Sequence, residues 1–184
     1  PHKVTSVISS DWMLKLYDTI VTVLPDLSTI DPGLADSWEV SDDGLTYTFT
    51  LKEGVEFHSG DPFTAADAKF TIDRWLAEET ASPTKHRIAG ISNVEAPDDT
   101  TLVFTLSRPV AYFPELLASA PFAPPHPDTS PAEECVLFPE APVHGVGPFY
   151  ITEYTQGEQT VLGRNPNYPG ANTPNVDRII VRYF

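Results

Sequence analysis

Five histidines, one cysteine and adjacent carboxylate pairs such as Asp42-Asp43 and Asp98-Asp99 are the groups best equipped for chemistry in this 184-residue chain. His2, His58, His86, His126 and His144 are scattered, with no pair at i, i+4 and no cysteine partner at metal-site spacing. A zinc site needs that convergence, so no metal is expected. Cys135 is the sole cysteine, which precludes an intrachain disulfide. It lies in a proline-rich stretch with no histidine or lysine beside it to stabilise a thiolate. Asp42-Asp43 and Asp98-Asp99 stand among turn residues, where a carboxylate serves backbone geometry rather than acid–base work. There is no G-x-S-x-G nucleophile elbow. Gly145-Val146-Gly147 lacks the Lys-Ser/Thr of a phosphate cradle and opens a strand, not a helix. Neither catalysis nor a cofactor is expected.

Composition narrows the remaining classes. Asp and Glu number 26 against 11 Lys and Arg, a formal charge of −15. That balance disfavours nucleic acid and anionic membrane surfaces as partners and reads as a solvated acidic exterior. The apolar fraction of 41% and aromatic fraction of 11% suit one good core or two small ones. No apolar run approaches the ~18 residues that span a bilayer. No signal peptide precedes the first strand, so the expectation is a mature or trimmed chain rather than a cytosolic protein.

The elements that position these groups follow from periodicity. Leu45, Tyr47, Phe49 and Leu51 alternate with Thr46, Thr48 and Thr50, the period of a half-buried strand. Trp38 and Val40 alternate in the same way before it, and Asp43-Gly44 between the runs predicts a hairpin turn. Ser59-Gly60-Asp61-Pro62 is a second turn. Thr64-x-x-Asp67 then predicts a capped helix over about 65–79, with Ala68, Ile72 and Leu76 on one face and Ala65 and Trp75 beside it. Ile88, Ile91 and Val94 lead into a strand that turns at Pro97–Thr100 and returns through Leu102, Phe104 and Leu106. A short helix is expected at Tyr112–Ala118, and a last hairpin around Gln156-Gly157. Val176, Ile179, Val181 and Tyr183 are assigned to a final strand.

Nearer the N-terminus, Val4–Ser9 reads as a first strand. Trp12, Leu16 and Ile20 with Met13, Tyr17 and Leu24 predict an amphipathic helix over 11–24, ended by Pro25. Residues 25–34 read as a turn-rich connection. Between Pro121 and Pro148 stand eight prolines in 28 residues, the mark of a long, partly extended loop.

Three blocks carry a family resemblance. They are Ala35–Asp67 (ADSWEVSDDGLTYTFTLKEGVEFHSGDPFTAAD), Ile91–Leu106 (ISNVEAPDDTTLVFTL) and Gly145–Asn167 (GVGPFYITEYTQGEQTVLGRNPN). In this order they closely resemble the family 5 extracellular solute-binding proteins of ABC transporters, the dipeptide, oligopeptide and nickel receptors. The blocks build turns and sheet, so they point to the family and leave the ligand open. The resemblance implies a mixed α/β (α+β) chain, the N-terminal part of a periplasmic-binding-protein type II fold. It implies a partial lobe I from 1–38 and 143–184 and an inserted β-rich subdomain at 39–142. Members are much longer, and this chain stops where the crossover to lobe II would begin. It is therefore expected to be an N-terminal fragment without lobe II.

The resemblance further implies capture without catalysis: two lobes close on a ligand, and an ABC permease in the membrane recognises the closed form. The expected cargo is a peptide; nickel chelates, opines and oligosaccharides are the alternatives within the family. The expected location is extracellular or periplasmic, with a lipid anchor as one form of full-length attachment. In peptide-binding members the carboxylate that meets the ligand's amino terminus comes from lobe II. What remains here is half a site: Ser9, Ser10, Asp11 and Trp12 after the first strand, Lys85 and His86 in a loop, and Phe122 and His126. Trp12 at a helix start is as readily a core residue, and the loops as readily plain surface. The rival reading is a self-sufficient interaction or scaffold module that self-associates through the face lobe II would cover.

Overall fold

The computed structural model describes residues 14–23, 30–78, 82, 85–88, 90–118, 144–170 and 174–183. Among them lie three antiparallel sheets. A two-stranded ribbon pairs β1 (Val21–Val23) with β2 (Ile30–Pro32). A four-stranded sheet has the order β3 (Ala35–Val40), β4 (Thr46–Leu51), β6 (Thr101–Leu106), β5 (Ile91–Glu95). A three-stranded sheet runs β7 (Phe149–Thr155), β8 (Gln159–Arg164), β9 (Arg178–Arg182).

The four-stranded sheet follows the threonine alternation. Tyr47, Phe49 and Leu51 of β4 are buried, while the threonines between them face outward. β6 repeats the pattern, with Leu102, Phe104 and Leu106 buried. The register sets Tyr47 opposite Phe104 and Phe49 opposite Leu102, so the two inward rows face the same side. Phe49 meets Phe104 edge-on at 5.7 Å between ring centroids, and Phe104 meets Phe113 at 5.1 Å. Such edge-to-face geometry sets positive ring edges against negative faces.

The turns are made by the carboxylates singled out above. Asp43 accepts hydrogen bonds from the Ser41 hydroxyl (2.6 Å) and the Leu45 N–H (3.0 Å), while Gly44 supplies the positive φ of 69°. Asp98 accepts from the N–H groups of Thr100 (2.9 Å) and Thr101 (2.7 Å) and from the Thr101 hydroxyl (2.9 Å). Hydrogen bonds hold both carboxyls below their ordinary pKa, the Ser41 hydroxyl foremost for Asp43 and the Thr100 N–H for Asp98. An ionised acceptor with its lone pairs engaged is a structural part, not a proton shuttle.

The capped helix runs Ala65–Leu76. Asp67 accepts from both the N–H and the hydroxyl of Thr64, each at 2.8 Å. The helix lays Ala65, Ala68, Ile72 and Trp75 on the sheet's inner face. Strand-by-strand, it packs on β5 and β6. At the opposite edge from the strands this helix packs on, Val40 shares the inward row yet is 47% exposed. Trp38, one step in, is half-buried against Phe49 at 6.1 Å. The short helix spans Phe113–Leu117, with Phe113 and Leu117 buried.

The clearest difference from expectation lies at the N-terminal helix. Of the described residues, 14–16 are helical, but the helix does not continue to 24; β1 begins at Val21. Thr19-Ile20-Val21-Thr22-Val23 is an unbroken β-branched run that loses χ1 freedom in a helix and fits a strand. The backbone confirms the change: the Leu34 N–H donates to the Thr19 carbonyl (2.8 Å) and the Ala35 N–H to the Ile20 carbonyl (2.9 Å). The apolar spacing at 12, 16 and 20 fitted a helix, but β-branching decided. Part of the expected connection at 25–34 is also strand, Ile30–Pro32. The final strand is shorter than expected: Ile179 and Val181 lie within it, while Val176 and Tyr183 fall outside and are exposed. The expected strand at 4–9, residues 11–13, and 119–143 of the proline-rich loop lie outside the described residues.

Phe104 is fully buried at the centre of the aromatic cluster, whereas Val40 is not. Denaturant titration should show Phe104→Ala costing about 3–5 kcal/mol, while Val40→Ala stays within about 0.5 kcal/mol. Similar losses for both would contradict this packing.

Candidate functional site

Two apolar clusters hold the described residues together. The larger is the interior of the four-stranded sheet and its helices, joined by Ile20, Val21 and Val146. The smaller comprises Leu16, Tyr17, Phe149 and Leu162, with Ile151 and Ile179 against it. The loop Gly145-Val146-Gly147 joins them. Val146 is fully buried in the larger cluster, while the glycines on either side lie flat on residues 16 and 17 of the smaller. A Cβ on Gly145 would overlap the Leu16 carbonyl oxygen and the Tyr17 ring, and one on Gly147 would overlap the Leu16–Tyr17 peptide. Close backbone approach is the reason for glycine here.

His58 locks this loop to the second turn of the four-stranded unit. Its N–H donates to the Gly145 carbonyl at 2.8 Å. Its Nδ1 accepts from the Gly145 N–H at 3.1 Å. Its Nε2 lies 3.0 Å from the Gly147 carbonyl. Both ring contacts are satisfied together only by the neutral ring with its proton on Nε2. The Gly147 carbonyl also accepts from Nδ2 of the buried Asn165 at 3.1 Å, which uses its second lone pair. Burial pushes the His58 pKa below its usual value; the Gly147 hydrogen bond opposes this and nearby His144 adds to it. The histidine read from sequence as a turn residue is thus the clamp between two parts of the chain.

A second clamp lies beside it. The Tyr168 hydroxyl donates to Asp18 at 2.8 Å, and the Thr19 N–H donates to the same carboxylate at 2.8 Å. Burial raises the Asp18 pKa against both hydrogen bonds and the charge of Lys52. Burial, then the charge of Asp18, pushes the Tyr168 phenol well above its ordinary value. Nothing in the sequence pattern marked this pair, since the partners stand 150 positions apart.

Of the candidate ligand residues, Lys85 and His86 lie on a one-turn 3-10 helix, Lys85–Arg87, beside the ends of β5 and β6. Lys85 is half-buried and His86 exposed. Ser9, Ser10, Asp11, Trp12, Phe122 and His126 lie outside the described residues. Among the described residues, no group of three or more His, Cys, Asp or Glu could hold a metal ion. No described helix is long and apolar enough to cross a membrane.

Small sheets fastened by polar clamps, in this order, define part of a periplasmic-binding-protein type II fold, the α+β architecture of solute receptors. The chain belongs to the bacterial extracellular solute-binding proteins, family 5; residues 29–184 match the model of that family's middle region. It is 36% identical over 177 residues to a Brucella ovis protein named for ABC-transporter peptide binding, covering 94% of this chain and 33% of that one. The substrate-binding domain of an oligopeptide ABC transporter from Bacillus anthracis superposes on all of this chain with a TM-score of 0.89, at 25% identity and 38% of its own length. The binding protein AgaA of A. tumefaciens R10, solved with agropinic acid, does so with a TM-score of 0.86, at 27% identity and 37% of its length. The chain thus spans about a third of the length of the curated relatives it matches.

The clamps generate two expectations. Folding lowers the His58 pKa, so between its folded value and about 6.5 the unfolded chain binds more protons. The contribution of His58 is therefore complete above about pH 6.5 and declines as pH falls through that window. Urea titrations from pH 7.5 to 5 should show a steeper loss for the native protein than for His58→Gln; parallel profiles would refute the neutral clamp. Gly147→Ala should destabilise by about 1–3 kcal/mol in the same assay, as overpacking against backbone does.

Proposed function

We propose that this chain supplies part of one lobe of an extracellular or periplasmic receptor that captures peptides for an ABC importer. The observation that carries the reading is the family match over residues 29–184, joined to a fold likeness that runs the length of the chain. Peptide is the preferred cargo because the Brucella ovis relative is named for peptide binding and the Bacillus anthracis structure for oligopeptide transport. The agropinic acid in AgaA makes an opine the rival cargo. Within this reading, 1–38 with 143–184 form the partial lobe and 39–142 the inserted subdomain. The smaller apolar cluster lies wholly within 1–38 and 143–184, in keeping with that division, whereas the larger packs Ile20, Val21, Leu34, Ala35 and Val146 with residues of 39–142 and so runs across the boundary. Ser9, Ser10, Asp11, Trp12, Lys85, His86, Phe122 and His126 remain the proposed contribution to the cleft. The protein's work is capture and release, without bond chemistry.

Two-lobed capture makes affinity depend on contacts from both sides, so this chain alone forfeits half of them. Calorimetry with a tetrapeptide should show binding at least about a hundredfold weaker, roughly 2.7 kcal/mol, than for a chimera in which this sequence replaces the matching third of the Brucella ovis protein. Tight saturable binding by the chain alone would overturn the half-site reading. A folded chimera that binds agropinic acid but no peptide would overturn the cargo.

A specific feature favours self-association as a second reading. Among the described residues β7 and β9 are both sheet edges, and Tyr150 and Ile180 stand exposed by 37% and 44% on the three-stranded sheet. Light scattering across a concentration series separates the readings, because only a module that pairs with its own copy doubles in mass.

A further inference from the structure

Beside the 3-10 turn is a half-open pocket of about 340 Å³. Its apolar lining comes from Ile91, Leu106, Phe113 and Leu116, and the ring of Tyr112, 58% exposed, stands with them. The polar lining includes Arg87, from the turn, and Arg108, just past the end of β6. We infer that this pocket is an anion site, taking a small carboxylate that carries a compact apolar or aromatic body.

Three observations carry the assignment. First, no carboxylate lines the pocket among the described residues, although the chain has 26 acidic side chains and only 11 Lys and Arg. Second, the side chains of Arg87 and Arg108 have no hydrogen bond or ion pair among the described residues and so are available to a ligand; Arg178 and Arg182 on β9 share this state but line no such pocket, and Arg164 is paired with Asp177 at 2.7 Å. Glu115 sits on the adjoining helix but does not line the pocket. Third, the pocket is built rather than incidental. The Ser107 N–H and hydroxyl both donate to the Gly90 carbonyl, at 2.8 and 3.1 Å, which fixes the strand ends that carry the arginines. The Tyr47 hydroxyl donates to the Val110 carbonyl at 3.0 Å and holds the facing wall.

The chemistry follows from the donors. A guanidinium presents a planar fork that fits a carboxylate through two parallel hydrogen bonds, and a pocket lined by two arginines and no carboxylate favours an anion over a neutral isostere. The apolar wall suits a phenyl or branched alkyl group, and the volume is at the lower end of small-molecule pockets. His86, one of the residues proposed for the cleft, also lines this pocket, but the assignment rests on Arg87, Arg108 and the apolar wall and not on the receptor reading.

The test uses the 184-residue chain with 3-phenylpropionate, its neutral amide, and the dipeptide Gly-Phe as a peptide source of the same carboxylate. Amide resonances of Arg87, Arg108 and Leu116 should shift saturably with the propionate, with the amide at least tenfold weaker. Arg87→Gln with Arg108→Gln should weaken the propionate at least tenfold while leaving the urea midpoint within error. Gly-Phe binding as tightly as the propionate would identify peptide C-termini as the source; Gly-Phe binding at least tenfold more weakly would identify free organic acids. Absence of saturable binding, equal affinity for propionate and amide, or full retention by the double variant would each overturn the assignment.

Discussion

The structure depends on one contact more than any other: the seating of the 145–147 loop between two apolar clusters. Val146 is the peg, fully buried in the larger cluster. The glycines beside it are the flat washer against Leu16 and Tyr17. Such an arrangement leaves backbone groups at risk, because a loop wedged between cores has no ladder to satisfy its N–H and C=O groups. His58 removes that risk, engaging the N–H and C=O of Gly145 and the C=O of Gly147. Asn165 takes the remaining lone pair of Gly147. An unmade hydrogen bond on any of these buried groups would cost about 1–3 kcal/mol, so the clamp is a condition for burying Val146 at all.

A polar clamp has a second effect that apolar packing lacks. Hydrophobic contact is non-directional and tolerates sliding. A histidine bonded at both nitrogens admits one orientation of its partner. Among the described residues the smaller cluster has four buried members, too few to fix a rigid relation by shape alone. His58, together with the Asp18–Tyr168 bond, supplies the directionality. The neutral state of the imidazole is what makes this possible: a second ring proton would set two N–H groups against each other at Gly145.

This division also explains what was legible in the sequence. The four-stranded sheet could be read because its information is local: threonine alternation, an Asp-Gly turn and a Thr-x-x-Asp cap all act within a few residues. Asp43 and Asp98 were legible as turn residues for the same reason. The N-terminal helix was overdrawn because i, i+4 apolar spacing at 12, 16 and 20 competes with five β-branched residues at 19–23, and the pairing of 19–20 with 34–35 settles it. The clamps were not legible. His58 and Gly145 are 87 positions apart and Asp18 and Tyr168 are 150 apart, and no periodicity carries such information. The grouping of Arg87 with Arg108 is hidden likewise, although three consecutive basic residues at 85–87 in so acidic a chain were a local signal. All eight candidate ligand residues came from family position, and six of them lie outside the described residues.

The acidic surface has a structural consequence that composition alone did not reveal. Among the described residues three sheets end in open strand edges, and open edges invite pairing with other chains. Edge strand β3 carries Asp36 and Glu39, and edge strand β5 ends on Glu95. β7 carries Glu153, while β9 is bounded by Arg178 and Arg182. Charge at an edge must be desolvated, or set against a like charge, when a second copy approaches in register. That penalty is largest where both edges carry the same sign, as two copies of β3 would. Copies of β7 and β9 carry opposite signs and are the less protected pair, and that sheet also exposes Tyr150 and Ile180. Of the two larger sheets, the distribution of charge, rather than its total, therefore singles out the three-stranded one as the less defended against a covering partner.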